Sequence, residues 1–307
     1  MCLITLPHSA GQSALGAPLC QQVRIDSRVI MLDGIMKSPL SRRLAPVPVH
    51  PLRAMARITI TFNGNEALRL RAGELARELA LPLAMAGEPD SDLQLVVTPE
   101  HLELQDARDP RQGPVYVDFS RLDLRPCSAN LSRRQPLVRA FGKKTKSVVD
   151  TTAGYGQDAL LLALMGFRVT AIERSPVVAA LARDGLQRFI KHTGMNLSER
   201  LQLMTGDARA LLSAIAPRPD AIFLDPMFPP KRRKSTGVKK EMRLLRELVG
   251  DDADAPELLD ISRATARDRV VVKRPDDAPP LAPDPSMSLA GKLVRYDVYL
   301  TNPRRPG

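Results

Sequence analysis

The spacing of apolar residues in the second half of the chain predicts alternating strands and helices. Five short runs rich in branched apolar residues have the composition of strands: 148–150, 169–172, 201–204, 222–224 and 270–272. Helical spacing separates them, at 159–165, 177–189, 208–215 and two stretches within 238–267. Residues 293–300 predict a last strand, antiparallel at the edge. This alternation is typical of a doubly wound, mainly parallel sheet, so we expect an α/β domain over 147–302.

A smaller α+β module is predicted before this domain, over residues 58–125. Its predicted strands are 58–62, 93–97, 102–104 and a run in which Val115, Val117 and Phe119 alternate with other residues. Its predicted helix is marked by Leu68, Leu75, Leu79 and Leu83. A basic connector that contains proline, residues 126–146, joins the two parts.

Residues 1–57 show no sustained periodicity, and four prolines lie close together near their end. Such a segment is expected to be a disordered tail. It is equally compatible with an upstream extension of a chain whose natural start is Met31, Met36 or Met55.

The charge of the chain favours a polyanionic partner. Lys and Arg total 45 against 34 Asp and Glu, a formal net charge of +11. The excess is clustered, since residues 133–146 hold six basic residues and no acid, and residues 231–246 hold eight basic residues and one acid. Each cluster is interpreted either as a ligand contact or as an ordinary solvated charge run.

Cysteine and histidine usage predicts neither a disulfide framework nor a metal site. The three cysteines are widely spaced and the four histidines lack the i, i+4 spacing of a helical metal pair. No basic residue precedes Arg24, so the positive region of a secretion signal is missing. The longest apolar stretch, 159–169, is too short to span a bilayer. A cytoplasmic protein that is not in a membrane is therefore expected.

A glycine-containing turn follows the first strand of the α/β domain. Gly154 and Gly156 lie between this strand and the next helix, where glycine lets the backbone approach a ligand. Glu173 ends the second strand, 17 residues beyond Gly156, and an acid there can accept hydrogen bonds from both hydroxyls of a ribose. Because Gly154, Gly156 and Ala159 satisfy a relaxed dinucleotide fingerprint, NAD is one candidate cofactor.

Two further acids favour S-adenosylmethionine over NAD. Asp150 precedes the loop, where a carboxylate suits a methionine ammonium or a sulfonium better than a pyrophosphate. Asp207 follows the third strand, near the place expected for an adenine amino group.

The fourth strand runs into Asp225, Pro226, Met227 and Phe228, which together suit chemistry on the amino group of a base. That amino group is a weak nucleophile because its lone pair is delocalised into the ring. The carboxylate of Asp225 and the carbonyl of Pro226 can accept its two N–H bonds in a rigid turn. Phe228 can stack on a base that has left its helix. The alternative is an ordinary turn that ends a strand.

Basic residues follow this turn and the fifth strand, and they are candidate contacts to RNA phosphates. They are Lys231, Arg232, Arg233, Lys234, Lys239, Lys240, Lys273 and Arg274. A mobile solvated loop is the alternative for the first six, and surface ion pairs are the alternative for Lys273 and Arg274.

The combination of motifs resembles the ribosomal RNA small subunit methyltransferase J family. The resemblance covers roughly residues 70–301, and its motifs are 97–104, 115–119, 148–159, 173–181, 224–229, 238–243 and 269–275. It implies a Rossmann-like sheet and transfer of methyl from S-adenosylmethionine to the N2 amino group of a guanine in 16S rRNA, as naked RNA or in the 30S subunit. No metal is implied.

The resemblance also implies which residues contact the cofactor. They are Gln157, Asp158, Glu173, Arg174, Asp207, Ala208 and Asp225. This chain departs from the family at Gln157, where Arg is common, and at Asp207 and Ala208, where a pair of serines is common. Residues 131–136 replace a glycine-rich basic run. Asp207 still suits an adenine, whereas the altered connector bears on the contacts to RNA.

Three other functions compete with this interpretation. A DNA amino-methyltransferase would use the same Asp-Pro turn. An NAD-dependent oxidoreductase would need an acid–base pair of the His or Tyr–Lys type, and none is evident. A non-enzymatic RNA-binding protein would use the basic clusters alone, and its binding would be sensitive to salt but not to cofactor.

Overall fold

The structure is a computed structural model that describes residues 56–84, 91–125, 128, 130–227, 240–250, 252–291 and 293–301. The predicted tail, apart from residues 56 and 57, lies outside the described residues. The same holds for Phe228, for the basic residues at 231–234 and for Lys239. Of Lys240 only the backbone is described.

A three-stranded sheet comes first in the chain. Its strands are β1 (Ile58–Phe62), β2 (Leu93–Val97) and β3 (Leu102–Asp106), in that order, with β1 parallel and β3 antiparallel to β2. Helix α1 (Glu66–Leu79) lies between β1 and β2 and is capped by Asn65, whose side chain accepts a hydrogen bond from the Leu68 N–H. The predicted extension of this helix to Leu83 is wrong, because the helix ends before Pro82 and Leu83 forms a bridge with Ile60 instead.

The predicted strand around Val117 is also wrong. In this segment only Val115 pairs with a strand, through a bridge to Leu104. Val115, Val117 and Phe119 are nevertheless buried while the residues between them are exposed. The alternation in the sequence therefore indicates which side chains are buried in the core, and it does not indicate the backbone hydrogen bonds of a strand.

A seven-stranded sheet forms the larger part. Its strands are β4 (Ser147–Asp150), β5 (Arg168–Glu173), β6 (Leu201–Thr205), β7 (Ala221–Leu224), β8 (Arg269–Pro275), β9 (Met287–Ala290) and β10 (Val294–Leu300). The order β6-β5-β4-β7-β8-β10-β9 is parallel except at β10, which is antiparallel to both neighbours. The predicted doubly wound α/β sheet is confirmed. The prediction that the last strand forms the edge of the sheet is wrong, because β9 lies outside it. The sequence pattern did not indicate β9, since this strand is mostly exposed and has no apolar run.

One helix precedes the first strand of this sheet, and five others lie between its later strands in the described part of the chain. They are α2 (Pro136–Phe141), α3 (Gln157–Leu164), α4 (Pro176–Thr193), α5 (Ala208–Leu211), α6 (Lys240–Val249) and α7 (Ala255–Thr265). The helix predicted at 208–215 is shorter, because α5 has four residues and passes into a 3₁₀ turn, Leu212–Ala214.

The three-stranded sheet packs against α4. Gly185 lets the segment around Val117 lie close to the same helix, because a Cβ there would lie 2.5 Å from Cγ1 of Val117. The neighbouring Asp184 accepts hydrogen bonds from the backbone N–H of Leu102 and from Arg71, both at 3.1 Å. Apolar residues of both sheets belong to one continuous buried cluster. The boundaries proposed for the module, connector and methyltransferase domain (58–125, 126–146 and 147–302) stay predictions.

The strand order reverses beside β4, which has β5 on one side and β7 on the other. In open α/β sheets a crevice forms at such a position, outside the carboxyl ends of the strands. The residues predicted to bind a cofactor lie at or just after the carboxyl ends of strands, so the fold brings them to one place.

Candidate active site

A cavity of about 560 Å³ opens at the carboxyl ends of β4, β5, β7 and β8. It brings together most of the site residues predicted from the sequence: Asp150, Gly154, Gln157, Asp158, Glu173, Arg174, Asp207, Ala208, Asp225, Pro226 and Lys273. Gly156 is not among the residues that line the cavity; it is the residue before α3, between the lining residues Tyr155 and Gln157.

The turn after β4 depends on two glycines in the left-handed region. Gly154 has φ +54° and Gly156 has φ +83°, values that other residues adopt only with strain. The N–H of Gly154 donates to Oε2 of Glu173 at 2.8 Å. The glycine loop is therefore connected to the end of β5, one strand away.

Glu173 is fixed by backbone donors on both of its oxygens. It is 3% exposed, and its Oε1 accepts a hydrogen bond from the Ser175 N–H at 2.8 Å. Burial raises the pKa of Glu173 to about 7. The free lone pairs of this carboxylate can accept hydrogen bonds from ligand hydroxyls.

Asp150 is the most deeply buried acid of the crevice, at 1% exposed. Its Oδ1 accepts a hydrogen bond from the Thr152 N–H at 3.1 Å. Burial raises the pKa of Asp150 to about 8, and the negative charges of Asp158 and Asp225 act in the same direction. A cationic ligand group would stabilise the ionised form.

The Asp225 turn and the glycine loop are joined by hydrogen bonds. The Asp225 N–H donates to Oγ1 of Thr152 at 2.6 Å. Thr151 donates twice to the carbonyl of Phe223 in β7, from its N–H at 3.0 Å and from its Oγ1 at 2.9 Å. The two loops predicted to bind the cofactor and the reacting base therefore have a fixed relation.

Lys273 lies between two acids of the crevice. Its Nζ is 2.8 Å from Oδ2 of Asp225 and 3.0 Å from Oδ2 of Asp158. Burial lowers the pKa of Lys273, but the charges of Asp225 and Asp158 outweigh that effect and the pKa is raised overall. Burial in turn raises the pKa of Asp225, with the charge of Lys273 opposing.

Arg274 lies on the other face of the sheet. Side chains of adjacent residues in a strand point to opposite faces, so Lys273 and Arg274 cannot both reach the crevice. Arg274 is 6% exposed, and its Nε donates to the carbonyl of Pro279 at 2.9 Å. The sequence made Arg274 a candidate contact to an RNA phosphate, but its buried position on the other face leads us to propose no such contact.

The crevice is also lined by a network of arginines and acids that the sequence analysis did not predict. Arg174 donates to Asp252, to Asp254 at 3.3 Å and to the carbonyl of Val249 at 3.0 Å. Arg209 binds Asp207 at 2.6 Å, and this hydrogen bond lowers the pKa of Asp207. Asp207 therefore presents an ionised carboxylate whose position is set by a partner. Arg174 and Asp252 are 78 residues apart, so no local pattern could reveal their pairing.

Helix α6 covers the glycine loop. It lines the cavity with Met242, Leu245, Arg246 and Val249, and Leu245 lies 3.8 Å from the position of a Cβ at Gly154. The hydroxyl of Tyr155 donates to the backbone carbonyl of Glu241 at 3.3 Å. The sequence predicted helical stretches within 238–267, but it did not show which surface they cover.

Membrane-spanning and metal-binding features are both missing from the described residues. No helix there has both the length and the apolar character needed to cross a bilayer. The same ranges contain no group of three His, Cys, Asp or Glu side chains placed to hold a metal ion.

Comparison with known proteins agrees with this geometry. Residues 75–301 match the family model described as putative SAM-dependent methyltransferase. The chain is similar to ribosomal RNA small subunit methyltransferase J of Thioalkalivibrio sulfidiphilus, at 48% identity over 80% of this chain and 98% of the relative. The Coxiella burnetii protein of the same name is 44% identical over the same shares.

A solved structure supports the same relationship. The SAM-dependent methyltransferase from Neisseria gonorrhoeae superposes with a TM-score of 0.60 at 30% identity, over 79% of this chain and 96% of that one. The match to the family model, the curated relatives and the crevice at the carboxyl ends of the strands all agree. The chain belongs to the ribosomal RNA small subunit methyltransferase J family of S-adenosylmethionine-dependent methyltransferases.

Proposed function

We propose that this protein transfers a methyl group from S-adenosylmethionine to the exocyclic N2 amino group of a guanine in 16S rRNA. The observation that supports this most directly is the joining of the glycine loop and the Asp225 turn in one crevice. The names of the curated relatives point to ribosomal RNA of the small subunit as the substrate class. Family membership does not favour the NAD-dependent or DNA-directed alternatives.

The residues of the crevice suit S-adenosylmethionine. Glu173 can bind the ribose hydroxyls, Asp207 the adenine amino group and Asp150 the cationic methionine end. We propose Gly154, Gly156, Gln157, Asp158, Arg174 and Ala208 as the further residues of this cofactor site. When bound, the cofactor supplies a methyl group on a positively charged sulfur, which a nucleophile can attack.

Asp225 is proposed to position the amino group of the guanine. Because Oδ2 of Asp225 is bonded to Lys273, its Oδ1 is left to accept one amino N–H, and the carbonyl of Pro226 can accept the other. Orientation of the nucleophile supplies much of the rate in a displacement of this kind. As the nitrogen forms its new bond to carbon it becomes acidic, and the Asp225 carboxylate is placed to receive its proton.

Groups beyond the described turn complete the proposal. We infer that Phe228 stacks on the flipped base and that Lys231, Arg232, Arg233, Lys234, Lys239 and Lys240 bind the flanking phosphates. Since the proposed substrate is ribosomal, we propose that the reaction takes place in the cytoplasm.

Transfer from labelled S-adenosylmethionine to 16S rRNA, and to 30S subunits from cells lacking this gene, tests the function. Label on one guanine N2 is expected, with Asp225→Ala inactive but still able to bind cofactor. Asp225→Asn is the matched variant, because it keeps the size of the side chain and removes only its negative charge. Cofactor binding without label on either substrate would refute the substrate assignment, and full turnover by Asp225→Ala would refute the role of Asp225.

A further inference from the structure

The amino ends of three neighbouring strands carry a row of basic residues. Lys146 precedes β4, Arg168 begins β5 and Arg200 precedes β6. The Arg168 N–H donates to the carbonyl of Lys146 at 2.8 Å, and the Val169 N–H donates to the carbonyl of Arg200 at 2.7 Å. The three residues therefore stand side by side, with about 5 Å between neighbouring strands.

Two more lysines extend this row, and all five side chains are exposed. Lys143 and Lys144 lie in the turn between α2 and β4, at the same end of the sheet. Within the part of the chain that the structure describes, none of the five side chains makes an ion pair or a side-chain hydrogen bond. Arginines elsewhere, such as Arg108 and Arg209, are bound to carboxylates. The name amino-end surface denotes Lys143, Lys144, Lys146, Arg168 and Arg200.

Acids near the amino-end surface do little to neutralise it. Asp220 accepts hydrogen bonds from the backbone N–H groups of Lys146 and Ser147, at 2.9 and 3.0 Å, so its charge is directed at the backbone. Asp268 is bonded to Arg269 at 2.6 Å. Glu199 is exposed and directly precedes Arg200 in the chain.

The amino-end surface is separate from the active site. The crevice lies at the carboxyl ends of the strands, and β4 with its four residues spans about 13 Å between the two ends. One nucleotide held in the crevice cannot therefore reach this surface. An RNA that contacts both ends must present two separate segments, as a folded RNA does.

We infer that the amino-end surface binds phosphates of a second segment of the substrate RNA, distant from the target guanine. The inference rests on the proposed function for the identity of that RNA. Unpaired Lys and Arg side chains bind phosphate oxygens regardless of base sequence, and a row of them gives a binding free energy that depends strongly on salt. This surface adds affinity for the whole RNA and takes no part in the chemistry.

Binding to 16S rRNA over a range of salt concentrations tests the inference. The variant Lys143→Gln/Lys144→Gln/Lys146→Gln should bind more weakly, with the slope of log affinity on log salt less steep by about 0.7 to 0.9 for each phosphate that the protein no longer neutralises. The control Lys143→Arg/Lys144→Arg/Lys146→Arg keeps the charge and should bind like the parent. An unchanged slope in the glutamine variant would overturn the inference, provided that its melting temperature and cofactor binding match the parent.

Methyl transfer to 30S subunits gives a second, independent readout. The glutamine variant should show a raised KM with kcat retained, because the surface binds substrate and does not touch the reacting atoms. A lowered kcat at an unchanged KM would contradict the inference. If the parent protein transfers no methyl to ribosomal RNA while the salt dependence still responds to the lysines, the proposed function fails and the RNA-binding surface stands.

Discussion

The ammonium group of Lys273 lies 2.8 Å from the carboxylate of Asp225, and 3.0 Å from that of Asp158 on the other side. Three charged groups from β8, α3 and the turn after β7 thus form a chain across the floor of the crevice. The lysine occupies one oxygen of Asp225, so the carboxylate cannot rotate freely. Lys273 is in this sense a positioning residue for the acid that we place beside the reacting amino group.

Replacement of Lys273 by Met should lower kcat about 10- to 100-fold, which corresponds to the roughly 1.5–3 kcal/mol of a hydrogen bond between charged groups. Lys273→Arg should recover part of the rate, because it keeps a charged donor near Asp225. Steady-state kinetics on 30S subunits would check both variants. A raised KM with unchanged kcat in Lys273→Met would instead indicate a contact to RNA phosphate, one of the two roles that the sequence left open.

Cofactor affinity should rise with pH between about 6 and 7.5. The pKa values of Asp150 and Glu173 are raised to about 8 and about 7, so both acids are substantially protonated at the lower end of that range. A cationic ligand favours the ionised carboxylates, and binding must release protons. Each group that has to ionise adds at most about a tenfold gain in affinity per pH unit.

Titration calorimetry in buffers of different ionisation enthalpy would measure the released protons directly. In Asp150→Asn the release should fall and the dependence on pH should flatten. Affinity that is constant from pH 6 to 7.5, with no proton release, would contradict this account of the two acids.

Asp150→Asn should also stabilise the ligand-free protein at alkaline pH. The pKa of an aspartate is about 4 in the unfolded chain and is raised to about 8 in the folded one. The folded state therefore binds more protons between those values, so the free energy of unfolding falls as pH rises through that window. Asparagine carries no ionisable group, so Asp150→Asn does not show this fall in the free energy of unfolding.

Denaturant unfolding at pH 5 and pH 9 would test this expectation. The advantage of Asp150→Asn over the parent should be larger at pH 9 than at pH 5. An equal difference at both pH values would show that the ionisation of Asp150 does not contribute. A more stable but poorly binding variant would identify Asp150 as an acid retained for the ligand.

Two glycines in helices offer a matched pair of stability predictions. Gly185→Ala in α4 should destabilise the fold by about 1–3 kcal/mol, because the new methyl group would overlap Val117. Gly73→Ala in α1 should stabilise it by about 0.5–1 kcal/mol, since nothing lies within 4 Å of the new Cβ and alanine favours the helix. Urea unfolding of both variants would measure the two effects. A Gly185→Ala protein as stable as the parent would show that α4 and the Val117 segment can separate without cost.

The sequence located the crevice well and its internal contacts poorly. Gly154, Glu173 and Asp225 could be assigned to one site because each lies at or just after the end of a strand, and parallel strands end at a common edge. The hydrogen bonds of Lys273 could not be assigned, because its partners come from distant parts of the chain. Period-two patterns were ambiguous for a similar reason, since Val117 is buried without belonging to a strand.

The position of α6 links the two sheets to one another. Arg243 of α6 is bonded to Asp106 at the end of β3 at 3.0 Å, and Glu247 of α6 is bonded to Arg108 at 2.6 Å. Hydrogen bonds from Arg108 lower the pKa of Asp106 to about 2, so this connection persists over the whole neutral and mildly acidic range. Since α6 covers the glycine loop, the rate at which bound cofactor escapes is expected to depend on a carboxylate of the small sheet. The three-stranded sheet would then influence how long the cofactor stays bound without contacting the cofactor itself.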